Sequence, residues 1–215
     1  MTLKYLGHAA FLIKSKEGKV LTDPFDPSIG LKFPTTEADI VTISHGHQDH
    51  NSLKGISGDP LVIDYPGEFE KKGIRVIGYK SFHDNKKGEE RGENILYKIE
   101  ADEINILHCG DLGVVPDDDF VEQIGQVDIL LVPVGGHFTI NAEEAVEVVK
   151  RIEPQIVIPM HYNRKELNEK IFKDLSPVDD FLKKIGVDSP PSESQLTMKK
   201  EDLTGEMKVI VMDIS

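Results

Sequence analysis

Four side chains that can bind a metal ion fall within six consecutive residues of this 215-residue chain, in the segment His45-Gly46-His47-Gln48-Asp49-His50. An apolar, β-branched run at 38–44 comes directly before it, which predicts a buried strand that ends at the first histidine. In an extended or turning segment, His45 and His47 point to one side and can reach one ion, whereas Asp49 and His50 can reach a second. A solvated polar loop is the alternative, but three of the eight histidines of the chain fall in this window.

The mixture of imidazole and carboxylate groups in segment 45–50 indicates the kind of metal. Zinc, iron and manganese accept both ligand types, whereas calcium prefers a shell of oxygen atoms alone. The segment therefore predicts a transition-metal or zinc site rather than a calcium site.

Three further polar residues share one context, the C-terminal end of a short apolar strand: His83, Asp111 and His161. Strands of one sheet tend to present their ends along one edge, where open sheets bind ligands. Taken singly, a histidine at a strand end is compatible with a structural role, and Gly110-Asp111 with a simple turn. Their occurrence together with segment 45–50 predicts that they complete a site for two ions.

Short apolar runs separated by glycine and proline predict strands throughout the first half of the chain. The second half mixes strands with helices, and this order predicts layered sheets covered by helices. Residues 188–195, rich in serine and proline, are predicted to form an exposed loop. Residues 207–214 are predicted to form one closing strand.

Two helices carry clear end signals in the second half. The first is predicted to begin after Asn141 as N-cap, with Glu144 as its reciprocal capping partner, and to close at Pro154. The second is predicted to open at Ser176-Pro177, with the proline at the first helical position, and to stop at Gly186.

Composition excludes several classes of protein. With 25 Lys and Arg against 38 Asp and Glu, the net charge is −13, which repels phosphate backbones and makes nucleic acid an unexpected partner. A single cysteine excludes an intramolecular disulfide framework and fits a reducing cytoplasm. No apolar run approaches the roughly 20 residues that a membrane span needs, and the first residues lack a secretory signal. The chain is expected to be one cytoplasmic domain over 1–215 that acts on a small molecule. Its apolar strand edges permit a homo-oligomer without requiring one.

Segment 45–50, followed in order by Gly110-Asp111 and Met160-His161, resembles the metallo-β-lactamase superfamily of metal-dependent hydrolases. The resemblance runs from Leu3 to Tyr162. It includes five further short motifs: Leu6-Gly7-His8, Asp23-Pro24-Phe25, Phe82-His83-Asp84, Arg91-Gly92-Glu93-Asn94 and Pro133-Val134-Gly135-Gly136. Together the motifs are similar to the branch near the L-ascorbate-phosphate lactonase-like and phospholipase D-like members.

The resemblance implies an α/β (α+β) fold, a four-layer αββα sandwich with the metal site at one edge between two sheets. It implies two divalent metal ions as cofactors, with zinc as the first choice and manganese or iron as alternatives. Transferred to this sequence, it assigns seven ligands: His45, His47 and His83 to the first ion, Asp49, His50 and His161 to the second, and Asp111 to both.

The implied chemistry is hydrolysis of a small ester, lactone or phosphodiester. Two ions about 3.5–4 Å apart would share a water and lower its pKa toward about 7, giving a hydroxide that attacks carbon or phosphorus. Asp49 or His161 would accept or relay the proton that must reach the leaving group. Asp23 is the first candidate for orienting a ligand histidine, and a turn residue before Pro24 is its alternative role.

Two other functions stay open at this level, a di-iron redox protein and a metal-binding module without turnover. The chain has no room for a flavin domain and shows no glycine-rich nucleotide loop, which weighs against the redox function. The apparent presence of all seven ligands weighs against a module without turnover.

Several other polar residues near the motifs have a structural explanation. We expect a structural role for His8, an exposed loop position for His137, a packed aromatic ring for Tyr162 and a small buried thiol for Cys109. Arg91 and Asn94 are candidates for anchoring an anionic group, although polar residues at the end of a hairpin need no such explanation.

Overall fold

The structure is a computed structural model that describes all 215 residues, and most of its strands pair into two sheets. In chain order the strands are β1 (Thr2–Gly7), β2 (Ala10–Lys14), β3 (Lys19–Thr22), β4 (Thr36–Glu37), β5 (Ile40–Thr42), β6 (Ile56–Ser57), β7 (Leu61–Ile63), β8 (Gly67–Lys71), β9 (Ile74–Phe82), β10 (Glu93–Ala101), β11 (Ile104–His108), β12 (Ile129–Pro133), β13 (Ile156–Met160), β14 (Ser192–Glu193), β15 (Leu196–Thr197), β16 (Lys208–Val209) and β17 (Val211–Met212). The helices are α1 (Asp118–Ile124), α2 (Ala142–Ile152), α3 (Glu169–Phe172) and α4 (Val178–Ile185), with 3-10 turns at Pro27–Ile29 and Lys200–Asp202.

The first sheet has the order β15-β1-β2-β3-β5-β7 and the second the order β16-β13-β12-β11-β10-β9-β8. Strands β3, β5 and β7 are parallel in the first sheet, and β11, β12, β13 and β16 are parallel in the second. Strand β9 also runs in the direction of β11, because both pair antiparallel with β10. The C-terminal ends of β9, β11 and β13 therefore lie at one edge of the second sheet.

Backbone hydrogen bonds join the two sheets at this edge. The Ile95 N–H donates to the Ser44 carbonyl over 2.9 Å, and the His161 N–H donates to the His8 carbonyl over 2.9 Å. These bonds place the C-terminal end of β5 beside the strand ends of the second sheet.

Both faces of the first sheet are buried, and β2 illustrates why its sequence is continuously apolar. Phe11 and Ile13 belong to the larger core of 43 buried residues, together with side chains of the second sheet. Ala10 and Leu12 face the other way and belong to a separate cluster of 13 buried residues. A strand that is covered on both faces has no solvent side to alternate with.

The helical layers over the two sheets are unequal. Helix α2 packs Ala145, Val148 and Val149 into the larger core, which also includes side chains of α4. The outer side of the first sheet is covered more thinly, by Ile29 of a 3-10 turn and Phe172 of the one-turn helix α3. The predicted αββα sandwich is confirmed. None of the four helices combines the length and apolarity that a bilayer crossing requires.

The end signals of α2 are confirmed. The Asn141 side chain accepts from the backbone of Glu144, whose carboxylate accepts from the Asn141 N–H at 2.8 Å. For α4 the predicted stop at Gly186 is confirmed, but Pro177 is the N-cap rather than the first helical residue.

The prediction of one closing strand over 207–214 is wrong. The run divides at Ile210 into β16, which pairs with β13, and β17, which pairs with β14. The predicted loop at 188–195 contains β14, so part of it is extended and paired. Strand β16 thus extends the second sheet, whereas β17 and β14 form a separate two-stranded sheet.

Candidate metal centre

Three histidines drawn from both sheets form the first part of the site. The donor nitrogens of His45, His47 and His83 lie within 4.8 Å of one another, and the rings of His45 and His83 have centroids 4.7 Å apart. Burial lowers the pKa of His45 to about 3, so its imidazole is neutral at neutral pH and keeps a lone pair for a ligand bond. His47 is exposed and His83 is buried, so this group opens to solvent on one side.

A second group combines a carboxylate with buried histidines. Donor atoms of Asp49, His50 and His161 lie within 4.8 Å of one another, and a nitrogen of His8 lies within the same limit. The Asp49 side chain keeps 23% of its surface exposed, whereas the side chains of His50 and His161 are 0% and 1% exposed. Asp49 is therefore the member of this group that solvent can reach.

The carboxylate of Asp111 stands between the two groups. Its Oδ1 is 3.3 Å from Nε2 of His50, and its Oδ2 is 3.3 Å from Nε2 of both His83 and His161. The Nε2 atom of His45 is 3.9 Å from the same Oδ2. The two oxygens of Asp111 therefore face histidines of both groups.

Buried atoms without partners test whether a cation fits here. The Nε2 atoms of His45, His50 and His161 and the Oδ1 atom of Asp111 are buried and have no hydrogen-bond partner. Leaving such atoms unpaired inside a protein costs free energy. A divalent ion that accepts imidazole nitrogen and carboxylate oxygen would satisfy them together, so the residues fit a metal.

The charge balance of the site points the same way. Burial alone would raise the pKa of Asp111, but His161 and His50 outweigh it and hold this pKa well below its usual range. Burial likewise disfavours charge on His50, but Asp111 and Asp49 outweigh it and raise the pKa of His50. The carboxylates therefore favour a positive charge at this position, and a metal ion supplies one.

Asp23 orients two histidines of the site, His50 directly and His45 through Ser44. Its carboxylate accepts from the Ser44 N–H at 2.8 Å, from the Ser44 hydroxyl at 2.6 Å and from Nδ1 of His50 at 2.8 Å. Because Ser44 Oγ donates to Asp23, the Nδ1–H of His45 donates to Ser44 Oγ over 2.9 Å. In both histidines Nδ1 therefore keeps its proton, and Nε2 is the nitrogen that would bind a metal.

His8 lies in the site, although the sequence analysis assigns it a structural role. It is fully buried in the left-handed region at φ 56°, and its Nε2 lies 3.0 Å from Oδ2 of Asp49. Its ring centroid is 4.1 Å from that of His161. Burial lowers the pKa of His8 to about 4, so a neutral imidazole donates from Nε2 to the carboxylate. The sequence signal that could have indicated this position is a polar residue, His8 of Leu6-Gly7-His8, placed between two apolar strands.

Asn94 is fully buried, which corrects its candidacy as an anion anchor. Its Nδ2 donates to the Cys109 carbonyl and its Oδ1 accepts from the Asp111 N–H, each over 2.9 Å. Between them, Gly110 has φ 53°, and a Cβ there would lie 2.5 Å from both Asn94 Oδ1 and Ser44 Cβ. The Asn94 amide therefore fixes the turn that presents Asp111.

The remaining polar residues agree with their structural explanations. The Tyr162 ring is buried and its hydroxyl accepts from Nη1 of Arg164 at 3.0 Å. His137 is exposed on the loop after β12. Cys109 is buried, and burial raises the pKa of its thiol.

Comparison with known proteins places this geometry in a family. Residues 2–161 match the model of the beta-lactamase superfamily domain. A UPF0173 metal-dependent hydrolase of Thermococcus kodakarensis is 32% identical over 189 residues, which cover 75% of this chain and 84% of that protein. Another, from Pelotomaculum thermopropionicum, is 32% identical over 201 residues, covering 79% and 88%.

A solved structure supports the same assignment over nearly the whole chain. A metallo-β-lactamase superfamily protein of Thermotoga maritima superposes with a TM-score of 0.82 at 39% identity, covering 98% of this chain and 97% of that one. The chain belongs to the metallo-β-lactamase superfamily and, within it, to the UPF0173 metal-dependent hydrolase family.

Proposed function

We propose that the chain is a metal-dependent hydrolase with a dinuclear centre that cleaves a small ester, lactone or phosphodiester. The observation that supports it best is the position of Asp111, whose two oxygens lie 3.3 Å from histidines of both groups. The proposed ligands are His45, His47 and His83 for one ion, Asp49, His50 and His161 for the other, and Asp111 for both.

The donor set favours zinc, with manganese or iron as alternatives. Five of the seven ligands are histidines, and neutral imidazole with carboxylate is a ligand combination that zinc accepts readily. The Thermotoga maritima protein is provisionally described as Zn-dependent. When bound, a pair of such ions supplies Lewis acidity and a water nucleophile that is ionised near neutral pH.

The protein contributes proton transfer and orientation. Burial would raise the pKa of Asp49, but His50 and His8 hold it below its usual range, so this carboxylate is ionised at neutral pH and would hold a relayed proton only transiently. Its exposed edge lets it exchange that proton with solvent, whereas His161 is enclosed. We therefore assign the proton-transfer role to Asp49 ahead of His161.

The substrate class and setting complete the proposal. Motifs such as Leu6-Gly7-His8 and Arg91-Gly92-Glu93-Asn94 support a position near the L-ascorbate-phosphate lactonase-like and phospholipase D-like members. We further propose a single domain over 1–215, alone or as a homo-oligomer, that acts in the cytoplasm on a small molecule. The net charge of −13 supports a substrate other than nucleic acid.

Replacement of Asp111 tests the centre directly. Elemental analysis of the purified protein should give two metal ions per chain for the native sequence and fewer than two for Asp111→Ala and for the isosteric Asp111→Asn. Hydrolysis across a panel of lactones, phosphodiesters and thioesters should disappear in both variants. Asp188→Ala changes an exposed carboxylate instead and should keep the metal and the activity.

Two results would contradict the proposal. Full metal content and full turnover in Asp111→Asn would show that another group connects the two ions. If chelation left the thermal stability of the native protein unchanged and no panel member were hydrolysed, a role without turnover would replace the enzyme.

A further inference from the structure

A rigid loop leaves the metal centre directly after His83 and returns to it. The buried Asp84 carboxylate accepts hydrogen bonds from four backbone N–H groups, those of Lys86, Gly88, Glu90 and Arg91, at 2.8 to 3.0 Å. The His83 N–H donates to the carbonyl of Gly92 over 3.0 Å and closes the loop. The backbone of Arg91 is thus anchored to Asp84, which directly follows the proposed metal ligand His83.

The side chain of Arg91 extends from this loop across an aromatic ring at the edge of the site. Its guanidinium carbon lies 5.9 Å from the ring centroid of Phe138. The Phe138 ring in turn stands edge-on to His161, with centroids 6.5 Å apart and planes at 82°. One aromatic ring therefore separates the guanidinium from a histidine of the second group, and stacking on that ring restrains the guanidinium plane.

Arg91 differs from the other arginines in lacking a carboxylate partner. Of the four arginines in the chain, Arg75, Arg151 and Arg164 lie within 4.0 Å of at least one glutamate or aspartate oxygen, and Arg91 lies near none. The chain contains 38 acidic residues, so an unpaired, half-buried arginine is unusual for its composition. Its side-chain N–H donors make no hydrogen bond within the protein and are free for an external acceptor.

We propose that Arg91 is a subsite for an anionic group of the substrate, a carboxylate or a phosphate, held beside the scissile bond. The proposal rests on the hydrolase function proposed above and narrows its substrate class to compounds that carry a negative charge. A guanidinium presents parallel N–H donors that match both oxyanions, and charge-assisted bonds of this kind are stronger than neutral ones. Phe138 maintains the guanidinium orientation, and the Asp84 loop fixes its distance from the site.

The test compares 4-nitrophenyl esters that differ only in charge. Metal-loaded native protein, Arg91→Met and Arg91→Lys are assayed with the neutral butyrate, the hemisuccinate carrying a carboxylate and a 3-phosphonopropanoate. Arg91→Met should raise KM for the preferred anionic ester by about 10- to 100-fold, the range expected when a hydrogen-bonded charge partner is lost. The kcat/KM of Arg91→Met for the butyrate should change less than twofold. For the anionic ester, the KM of Arg91→Lys should lie between those of the native protein and Arg91→Met, because lysine keeps the charge but lacks the parallel N–H donors of the guanidinium.

A matched control variant and the comparison between esters separate the possible outcomes. Arg75→Met removes an exposed arginine that is paired with Glu68 and Glu100, and should leave every ester unaffected. Equal losses on the neutral and anionic esters in Arg91→Met would overturn the anion subsite while leaving the hydrolase intact. The relative effects on hemisuccinate and phosphonopropanoate distinguish a carboxylate subsite from a phosphate subsite.

If none of these esters is hydrolysed, the proposed function is in doubt but the subsite is still measurable. Succinate and methylphosphonate are then titrated into the same metal-loaded proteins by calorimetry. Binding of one of them at least tenfold weaker in Arg91→Met supports the subsite. Equal binding to both proteins, or no binding of either anion to the native protein, refutes it.

Discussion

Replacing Asp23 with asparagine should impair metal binding although Asp23 is not among the proposed ligands. The asparagine oxygen can still accept from the Ser44 N–H, but its NH₂ group then faces the Ser44 hydroxyl and Nδ1 of His50, which both donate to Asp23 in the native protein. The conflict is relieved if His50 gives up the proton at Nδ1 and keeps the one at Nε2. That tautomer removes the lone pair with which His50 would bind the ion.

The contacts set the expected size of the effect. Two hydrogen bonds to a charged, buried carboxylate are lost, and at about 1.5 kcal/mol each the metal-free protein should lose about 3 kcal/mol of unfolding free energy. Metal affinity should fall about 10- to 100-fold, the range for groups that orient a ligand histidine. Urea denaturation with chelator present measures the first quantity, and competition with a chromophoric zinc chelator measures the second.

Asp26→Asn provides the matched control for this experiment. Asp26 lies three residues further along, and its side chain accepts from the Ser28 N–H at 2.9 Å as an N-cap. Its backbone N–H donates to the Gln48 carbonyl, but its carboxylate makes no hydrogen bond to a proposed ligand. Asparagine caps a helix as well as aspartate does, so both quantities should stay unchanged. An affinity within twofold of native in Asp23→Asn, with the ¹⁵N shifts of His50 showing an unprotonated Nε2, would refute the tautomer explanation.

Three further predictions address packing, reactivity and pH. A Cβ on Gly113 would lie 2.2 Å from the carbonyl carbon of His83. Gly113→Ala should therefore lower the free energy of unfolding, measured by urea denaturation, by about 1–3 kcal/mol and should weaken metal binding. A Cβ on Gly46 would have no atom within 4 Å, so Gly46→Ala should change neither quantity. The Cys109 thiol, whose pKa burial raises, should react with a disulfide reagent only after unfolding, and rapid labelling of native protein would contradict its placement. Burial lowers the pKa of His8 to about 4, so its neutral form stabilises the metal-free fold above about pH 6.5 and this contribution is lost as the pH falls toward 4. The difference in unfolding free energy between native protein and His8→Gln should therefore narrow over that window, and a constant difference would show that His8 does not titrate as described.

The parts of the fold that follow local rules were predictable from the sequence. Apolar periodicity located the strands before segment 45–50 and before Asp111, and the paired signals of Asn141 and Glu144 located a helix start. Strand ends that share an edge then made the approach of Asp111 and His161 to segment 45–50 a reasonable expectation. Each of these inferences needs only neighbouring residues and the common direction of strands in a sheet.

Features that depend on contacts between distant residues were not predictable. His8 meets Asp49, 41 positions further along the chain, and no periodicity in the sequence connects them. Pro177 has φ −71°, which suits both an N-cap and a first helical residue, and only its ψ of 160° makes it the cap. The division of the last strand at Ile210 depends on which neighbouring strand is available to each half.

The candidate ligands come from both sides of the sandwich, since segment 45–50 follows a strand of the first sheet whereas His83, Asp111 and His161 follow strands of the second. An ion held by such a set crosslinks the two halves and binds only while they are docked. Its binding free energy then adds to the stability of the whole domain and grows with the free metal concentration. Metal supply in the cell would thus set how long each copy of the protein survives as well as how fast it works.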